Sequence, residues 1–437
     1  MKTLTSITLS LLCCFALLAQ SRSGKENNEV KQEKQMAVIS DVHIMAPELL
    51  KKDGKAFQTY LANDRKLLQQ GTELLDSVCN RLIAAHTEVL LITGDLTKDG
   101  EKVSHEYLIE HYLKKLKEKG LRVFVIPGNH DVNNPNARIF DGEDTPRTET
   151  VSASEFANIY KDYGYGDAIA RDRNSLSYVA QLDSKTRLIA IDACKYEENN
   201  YDKDICVTGG RIKPETMNFI REQVADAKAK GYRVIAMMHH GIVKHWDGQE
   251  RIMKDYLIDN WEHDAKTLSG MGIKVVFTGH FHSQDVATMK GGLTDVETGS
   301  TVSYPIPYRL IDLDTKRGIM NIKTEHISCL GSLLGSSESL EQMSIRFASS
   351  SMRGFVNRFI SDNVPGDIRE KSGKLITEAY IMNLYGDERP SKKFKNEMKN
   401  TCGELAKYSK RDAFILSNVC KGFSSDNDRD NDLKLNY

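Results

Sequence analysis

Glu-Val-Leu-Leu-Ile-Thr-Gly-Asp, residues 88–95, is the stretch whose reading decides the fold. Its apolar run is too short for a helix and suits a strand buried on both faces. The run ends on Gly94 and a lone carboxylate, Asp95. Four other apolar runs end in the same manner, on residues that ligate metals. Met36 to Ser40 leads into Asp41-Val42-His43, and Leu121 to Pro127 into Gly128-Asn129-His130-Asp131. Tyr232 to Met238 leads into His239-His240, and Lys274 to Thr278 into Gly279-His280-Phe281-His282.

Between these runs lie stretches with apolar residues at helical spacing: Asp64 to Ala85, His105 to Lys119, and Pro214 to Lys230. Pro214 marks a helix start and Gly231 a stop. Strand–helix alternation predicts an α/β architecture with parallel pairing. In such sheets ligands bind at the carboxyl edge, where strand ends from distant parts of the chain converge. After His282 the pattern changes. Asp285–Met289, Leu293–Ser300, Tyr308–Asp314 and Gly318–His326 are strand-like with turns between them, which predicts a second, mostly antiparallel sheet packed on the first. From about Ser336 the chain reads as helical, most clearly over Met343–Ile360 and Ser372–Leu384. The charged end, Ser424–Tyr437, is expected to fray.

The 437 residues carry a formal net charge of -1, which argues against a nucleic-acid binder relying on a basic surface. An apolar stretch from Ile7 to Ala19 follows Lys2 and is too short to span a bilayer, so residues 1–22 read as an export signal. The expected location is periplasmic or secreted. Cys13 and Cys14 leave a lipid anchor as an alternative, and a membrane is an expected partner only in that case. Residues 23–35 read as a polar linker, 36–330 as the main domain, and 331–437 as a helical C-terminal region. The six cysteines beyond the signal permit disulfides without dictating any.

The ligand types are Asp41, His43, Asp95, Asn129, His239, His280 and His282. Imidazole and carboxylate without thiolate suit zinc, iron, manganese or nickel. Asp41 and His43 are two apart at a strand end, as are His280 and His282. Seven ligands exceed one transition metal with an open position and match two. Two ions about 3.5–4 Å apart can hold a hydroxide and clamp a phosphoryl oxygen. The expected cofactor is therefore a pair of divalent ions, Mn, Fe or Zn, and the expected reaction is hydrolysis of a phosphate ester.

Asp-x-His, Gly-Asp, Gly-Asn-His-Asp, a lone His and Gly-His-x-His, in this order over roughly Met36 to His326, resemble the signature of the calcineurin-like metallophosphoesterase family. The resemblance implies a two-sheet α/β/β/α sandwich, here with a helical C-terminal extension. It implies one metal held by Asp41, His43, Asp95 and His282, and a second by Asp95, Asn129, His239 and His280. His130 corresponds to the family residue that contacts the phosphate and can protonate the leaving group, after attack by a metal-bridging hydroxide. Gly94-Asp95-Leu96-Thr97 with Gly100 and Ser104-His105, Asn134-Pro135-Asn136-Ala137 and Ser175-Leu176-Ser177-Tyr178 resemble a bacterial exported subgroup. Its members are compared with cyclic-nucleotide phosphodiesterases. The expected substrate is a small phosphate ester, a diester by preference. A phosphomonoesterase, or a non-catalytic scaffold on the same fold, is the alternative.

Other residues read more plainly. Asp131 orients a neighbour or caps a helix. His86, His111, His245, His263 and His326 are expected to be surface or structural. His105 carries more weight through the subgroup resemblance. Trp246 and Trp261 bracket a stretch that is either core or a wall of the site.

Overall fold

The computed structural model describes residues 33–425 and 429–437, without the side chains of residues 351, 353–355 and 357–359. The export-signal reading, and most of the linker, lie outside the described residues. Residues 33–35, assigned to the linker, begin strand β1 (Glu33–Ile39). They pair with a neighbouring strand from Glu33↔Asp314 onward, so ladder hydrogen bonds order a stretch that has no apolar period.

Two mixed sheets stack face to face. Across the first run β15 (Asp432–Asn436), β14 (Ile319–His326), β13 (Pro307–Asp314), β1, β3 (Val89–Ile92) and β4 (Arg122–Val125). Across the second run β11 (Asp285–Thr288), β12 (Thr294–Glu297), β10 (Val275–Thr278), β9 (Arg233–Met238), β8 (Thr186–Ile191), β7 (Tyr178–Gln181) and β6 (Ala170–Arg171). A short pair, β2 (Leu50–Lys52) with β5 (Phe140–Asp141), stands apart. In the first sheet β1, β3 and β4 are parallel; in the second β8, β9, β10 and β12 are parallel.

The separate antiparallel sheet expected after His282 does not form. β11 and β12 extend the second sheet, while β13 and β14 cross to the first and pair antiparallel beside β1. Each sheet had an edge open to pairing there, beside β10 and beside β1, and these strands take both.

Residues between the sheets, such as Val38, Leu91, Phe124, Leu188, Met237 and Phe277, form one core with Leu74, Leu75, Val78 and Leu82. The latter four lie on a helix, α2 (Gly71–Ala84), that covers the first sheet. Helix α1 (Lys55–Asn63) precedes it, and Asp64–Leu67 between them is not helical. The second sheet is covered by Pro214–Ala229 and Trp261–Met271, through Ile220, Val224, Ala265 and Leu268. The layers are therefore α/β/β/α. A third cluster joins the C-terminal helices Leu340–Phe359, Gly366–Tyr385, Lys392–Leu405 and Lys410–Gly422 to Trp246, Phe281 and Tyr304.

The end of the chain is not frayed where it is described. Leu433 and Tyr437 are buried, and β15 pairs with β14 from Ile319↔Asn436 to Lys323↔Asp432. The C-terminal region is thus helical only in part, and its last strand returns to the main domain. Cys194, Cys206, Cys402 and Cys420 carry free thiols. No helix among the described residues is long and apolar enough to cross a membrane.

Candidate metal centre

All five ligand segments leave the carboxyl ends of parallel strands: β1, β3 and β4 in one sheet, β9 and β10 in the other. Backbone hydrogen bonds brace the loops against each other. The Asp41 amide donates to the Gly94 carbonyl at 3.1 Å, the His43 amide to Asp95 at 2.9 Å, and the Gly279 amide to His239 at 3.0 Å. Thr93 Oγ1 donates to the Thr278 carbonyl at 3.3 Å, tying the two sheets at the site.

Three groups of side chains converge there: Asp41, His43 and His282; His43, Asp95 and His130; and Asp95, His239 and His280. His282 Nε2 is 3.2 Å from Asp41 Oδ1 and 3.2 Å from His43 Nε2. Asp95 Oδ2 is 3.5 Å from His43 Nε2 and 3.3 Å from His239 Nε2. Asn129 Oδ1 is 3.2 Å from His239 Nε2. Asp95 therefore faces both halves of the arrangement with one carboxylate.

The donor set fits a pair of cations. A carbonyl only accepts, so it fixes the proton on the imidazole nitrogen it faces and frees the other nitrogen's lone pair. His43 Nδ1 faces the Thr97 carbonyl at 3.3 Å and His239 Nδ1 the Thr93 carbonyl at 2.8 Å, which turns both Nε2 atoms inward. His280 is reversed: its Nε2 faces the Asp255 carbonyl at 3.1 Å and Nδ1 is the inward atom. His282 Nδ1 lies 3.3 Å from Ser303 Oγ. Asp41 Oδ1 is buried and makes no hydrogen bond of adequate geometry. Inward lone pairs beside an orphaned carboxylate oxygen are costly without a positive charge between them.

The electrostatics agree for His43, His280 and His282. Burial first, and then the charge of Lys66, push His43 well below the usual imidazole range. Burial and the neighbouring His240 do the same to His280, and burial with Arg65 brings His282 down to about 4. These rings are held neutral, the form that coordinates metal. Burial would lower His239 too, but Asp95 outweighs it and the ring rises to about 9. Burial raises Asp95, but His239 and His130 outweigh it and keep the carboxyl well below its ordinary value.

His130 sits where the site opens, with 27 % of its side chain exposed. Its amide donates to Asp95 Oδ1 at 2.9 Å, and its Nδ1 lies 2.9 Å from Asp99 Oδ1. Burial works against its charge, but Asp95 and Asp99 prevail and raise its proton affinity. Asp131 points away and clamps the loops. It accepts from the amides of Gly128, Leu96 and Thr97 at 2.8, 3.0 and 2.9 Å, and from Thr97 Oγ1 at 2.9 Å. It orients neighbours and caps no helix. His105, fully buried, braces this loop through Nε2 to the Asp131 carbonyl at 2.9 Å.

The structure brings His239, and not His240, to Asp95. His240 turns its Nε2 to the Thr208 carbonyl at 2.9 Å and packs against the rings of His239 and His280. Trp246 is core, under the C-terminal helices. The stretch after it nonetheless reaches the centre, because the Tyr256 ring lies 4.8 Å from that of His280. Asp99 and Tyr256 are neighbours of the site that sequence reading missed. Asp99 lay inside the quoted Gly94–Gly100 motif, and only its position four residues past Asp95 hinted at a role.

A family model described as calcineurin-like phosphoesterase matches residues 35–284, more than half of the chain and all five ligand segments. The chain belongs to the calcineurin-like phosphoesterase family. A 3',5'-cyclic-nucleotide phosphodiesterase of Nostoc is 33% identical over 97 residues, 22% of this chain and 30% of its own length. Among solved structures, a dimetal phosphatase from Danio rerio has a TM-score of 0.48 at 13% identity, covering 67% of this chain and 96% of its own. GAP50 of Plasmodium, described as the anchor in the inner membrane complex, has a TM-score of 0.39 at 12% identity over 67% of this chain and 84% of its own. In this calcineurin-like phosphoesterase the His and Asp groups suit a dinuclear divalent metal site.

Proposed function

We propose that the chain hydrolyses a small phosphate ester at a dinuclear metal centre, with a diester preferred. The observation that carries this reading is the convergence of inward imidazole lone pairs on Asp95 and the orphaned Asp41 Oδ1. Asp41, His43, Asp95 and His282 would hold one ion, and Asp95, Asn129, His239 and His280 the other. Such ions supply Lewis acidity and lower the pKa of water. Asp95 positions the two halves through a single carboxylate, and the carbonyls of Thr93, Thr97 and Asp255 fix the ring orientations.

His130 is the general acid. It is the solvent-facing member of the group, its Nδ1 proton is anchored by Asp99 Oδ1, and its Nε2 is free to give a proton to the departing oxygen. The diester preference is supported by the name of the Nostoc relative alone. Export, with a cleaved segment of residues 1–22, is part of the same proposal and is supported by the apolar run from Ile7 to Ala19.

The test is a panel of chromogenic monoesters, chromogenic diesters, cyclic nucleotides and glycerophosphodiesters, each with Mn, Zn and Fe. At least one ester is expected to turn over in a metal-dependent way. His130→Ala is expected to lower that rate by about 10²–10⁴-fold at unchanged metal content. A His130→Ala protein that keeps its rate on every ester would sink the assignment of the proton donor.

A further inference from the structure

The segment Asp64-Arg65-Lys66-Leu67 begins the stretch Asp64–Ala85 that the sequence reads as helical, yet it is not helical. It is docked on the metal centre. The Leu67 amide donates to the Val302 carbonyl at 2.7 Å. Val302 lies between two residues that touch the site. Ser300 Oγ donates to the Asp41 carbonyl at 2.7 Å, and Ser303 Oγ is 3.3 Å from His282 Nδ1. This docking holds the backbone that carries Arg65 and Lys66 against the loop that bears on Asp41 and His282.

Both cations are held rather than loose. Lys66 is only 7% exposed, and its Nζ is 3.4 Å from Asp64 Oδ2, a long ion pair for a buried ammonium. Arg65 donates from a guanidinium nitrogen to Tyr380 Oη at 2.8 Å. Tyr380 is 2% exposed on the C-terminal helix Gly366–Tyr385. On the helix that precedes the segment, Tyr60 Oη donates to Asp99 Oδ2 at 3.5 Å, and Asp99 holds His130.

The charges do not balance without a ligand. Two divalent ions against Asp41 and Asp95 already leave a positive surplus. Asp64 offsets Lys66, but the tyrosine-anchored Arg65 raises the surplus further, and such a surplus is costly in a site that excludes water. A metal pair needs no extra cations for its own stability, so these two serve whatever anion approaches it.

We infer that Arg65 and Lys66 clamp an acidic oxygen of the substrate next to the phosphorus under attack, with Tyr380 as a positioning residue for Arg65. The inference rests on the two-metal reading of the site. The acidic oxygen is either the third oxygen of a phosphomonoester or an acidic substituent on a diester. In both cases the C-terminal helices complete the substrate site.

The experiment compares full-length, metal-loaded protein with Lys66→Met, Lys66→Arg and Tyr380→Phe. Binding of inorganic phosphate is measured by titration calorimetry. Kinetics follow 4-nitrophenyl phosphate, bis(4-nitrophenyl) phosphate and a diester bearing one carboxylate. Lys66→Met is expected to weaken phosphate binding about tenfold, the loss of one charge-assisted hydrogen bond, and Lys66→Arg to restore most of it. A KM increase confined to the monoester identifies its third oxygen, and one confined to the carboxylate diester identifies the substituent. Tyr380→Phe is expected to shift the same KM in the same direction by less. If Lys66→Met fails to fold, the half-buried Arg65→Gln carries the test. Phosphate affinity within about twofold of the unaltered protein, at intact metal content, overturns the clamp, as does an equal loss on all three esters that Lys66→Arg does not rescue. Metal-dependent phosphate binding that falls in Lys66→Met, without turnover of any ester, would instead defeat the hydrolase reading and leave the clamp standing.

Discussion

Asp41, His43, Asp95, His280 and His282 all adopt positive φ, at 50°, 43°, 48°, 76° and 71°. Residues other than glycine seldom do so, and the strain persists only where the surroundings enforce it. Here the enforcement is steric as well as hydrogen-bonded. A Cβ on Gly279 would lie 1.8 Å from Ser40 Oγ and 2.5 Å from Asp41 Oδ2, where the Asp41 carboxylate now accepts from the His280 amide at 2.9 Å. Gly279→Ala must therefore displace Asp41 or His280, at about 1–3 kcal/mol for the overpacking. The expected outcome is a metal affinity lowered about tenfold or more and a parallel loss of turnover, read by elemental analysis and kinetics on one sample. Unchanged metal content and rate would show that the glycine is not needed for the ligand geometry. The five segments that the fold brings together at the site were legible in the sequence because each follows an apolar run with residues able to bind metal. Asp99, Lys66 and Tyr256 were not, because what places them at the site is contact across the fold, which no local spacing records.

At the scale of elements, the parallel strands were legible from their short apolar runs, and the helices from their period. The sheet that each later strand joins was not. β13 and β14 carry the alternation of any antiparallel pair, and which sheet receives them is a tertiary choice. β15 alternates too, with Leu433 and Tyr437 inward, but its charged residues hide the pattern. The C-terminal elements are anchored beneath the Gly279–His282 loop by a buried polar network. Ser283 Oγ donates to Asn383 Oδ1 at 2.7 Å, and the Gln284 amide to the Leu384 carbonyl at 3.3 Å. Arg309 donates to the Asp430 carbonyl at 2.5 Å and to that of Glu297 at 2.6 Å. Glu388 lies in this network, 2% exposed. Burial, then Asp285 and Asp430, push its carboxyl up to about 9. An unfolded chain releases the same proton near about 4.3. The folded state thus binds more protons between these values, so this group makes stability fall as pH rises, until the folded carboxyl itself ionises. Melting temperature is expected to drop between about pH 6 and about pH 9, and Glu388→Gln to flatten that slope. An identical slope in Glu388→Gln would mean that this carboxyl does not hold its proton.

At the scale of the whole molecule, the two sheets share the labour of building one site. The first sheet supplies Asp41, His43, Asp95, Asn129 and His130; the second supplies His239, His280 and His282. Neither half is a site alone, and Asp95 is the carboxylate that faces both. The C-terminal helices add Tyr380 against Arg65 and pack Phe281 between two proposed ligands into their own core, where its ring lies 5.9 Å from that of Phe423. The proposed metal centre, the sheet packing and the C-terminal region thereby meet at one short loop. The most direct test of the central proposal, a two-metal hydrolytic centre, is a titration of metal-stripped protein with Mn, following turnover of bis(4-nitrophenyl) phosphate against bound equivalents. Turnover is expected to rise and reach a plateau at about two equivalents per chain, with Asp95→Asn retaining less than about one and no turnover. Turnover in the stripped protein, or saturation with no metal bound, would contradict it.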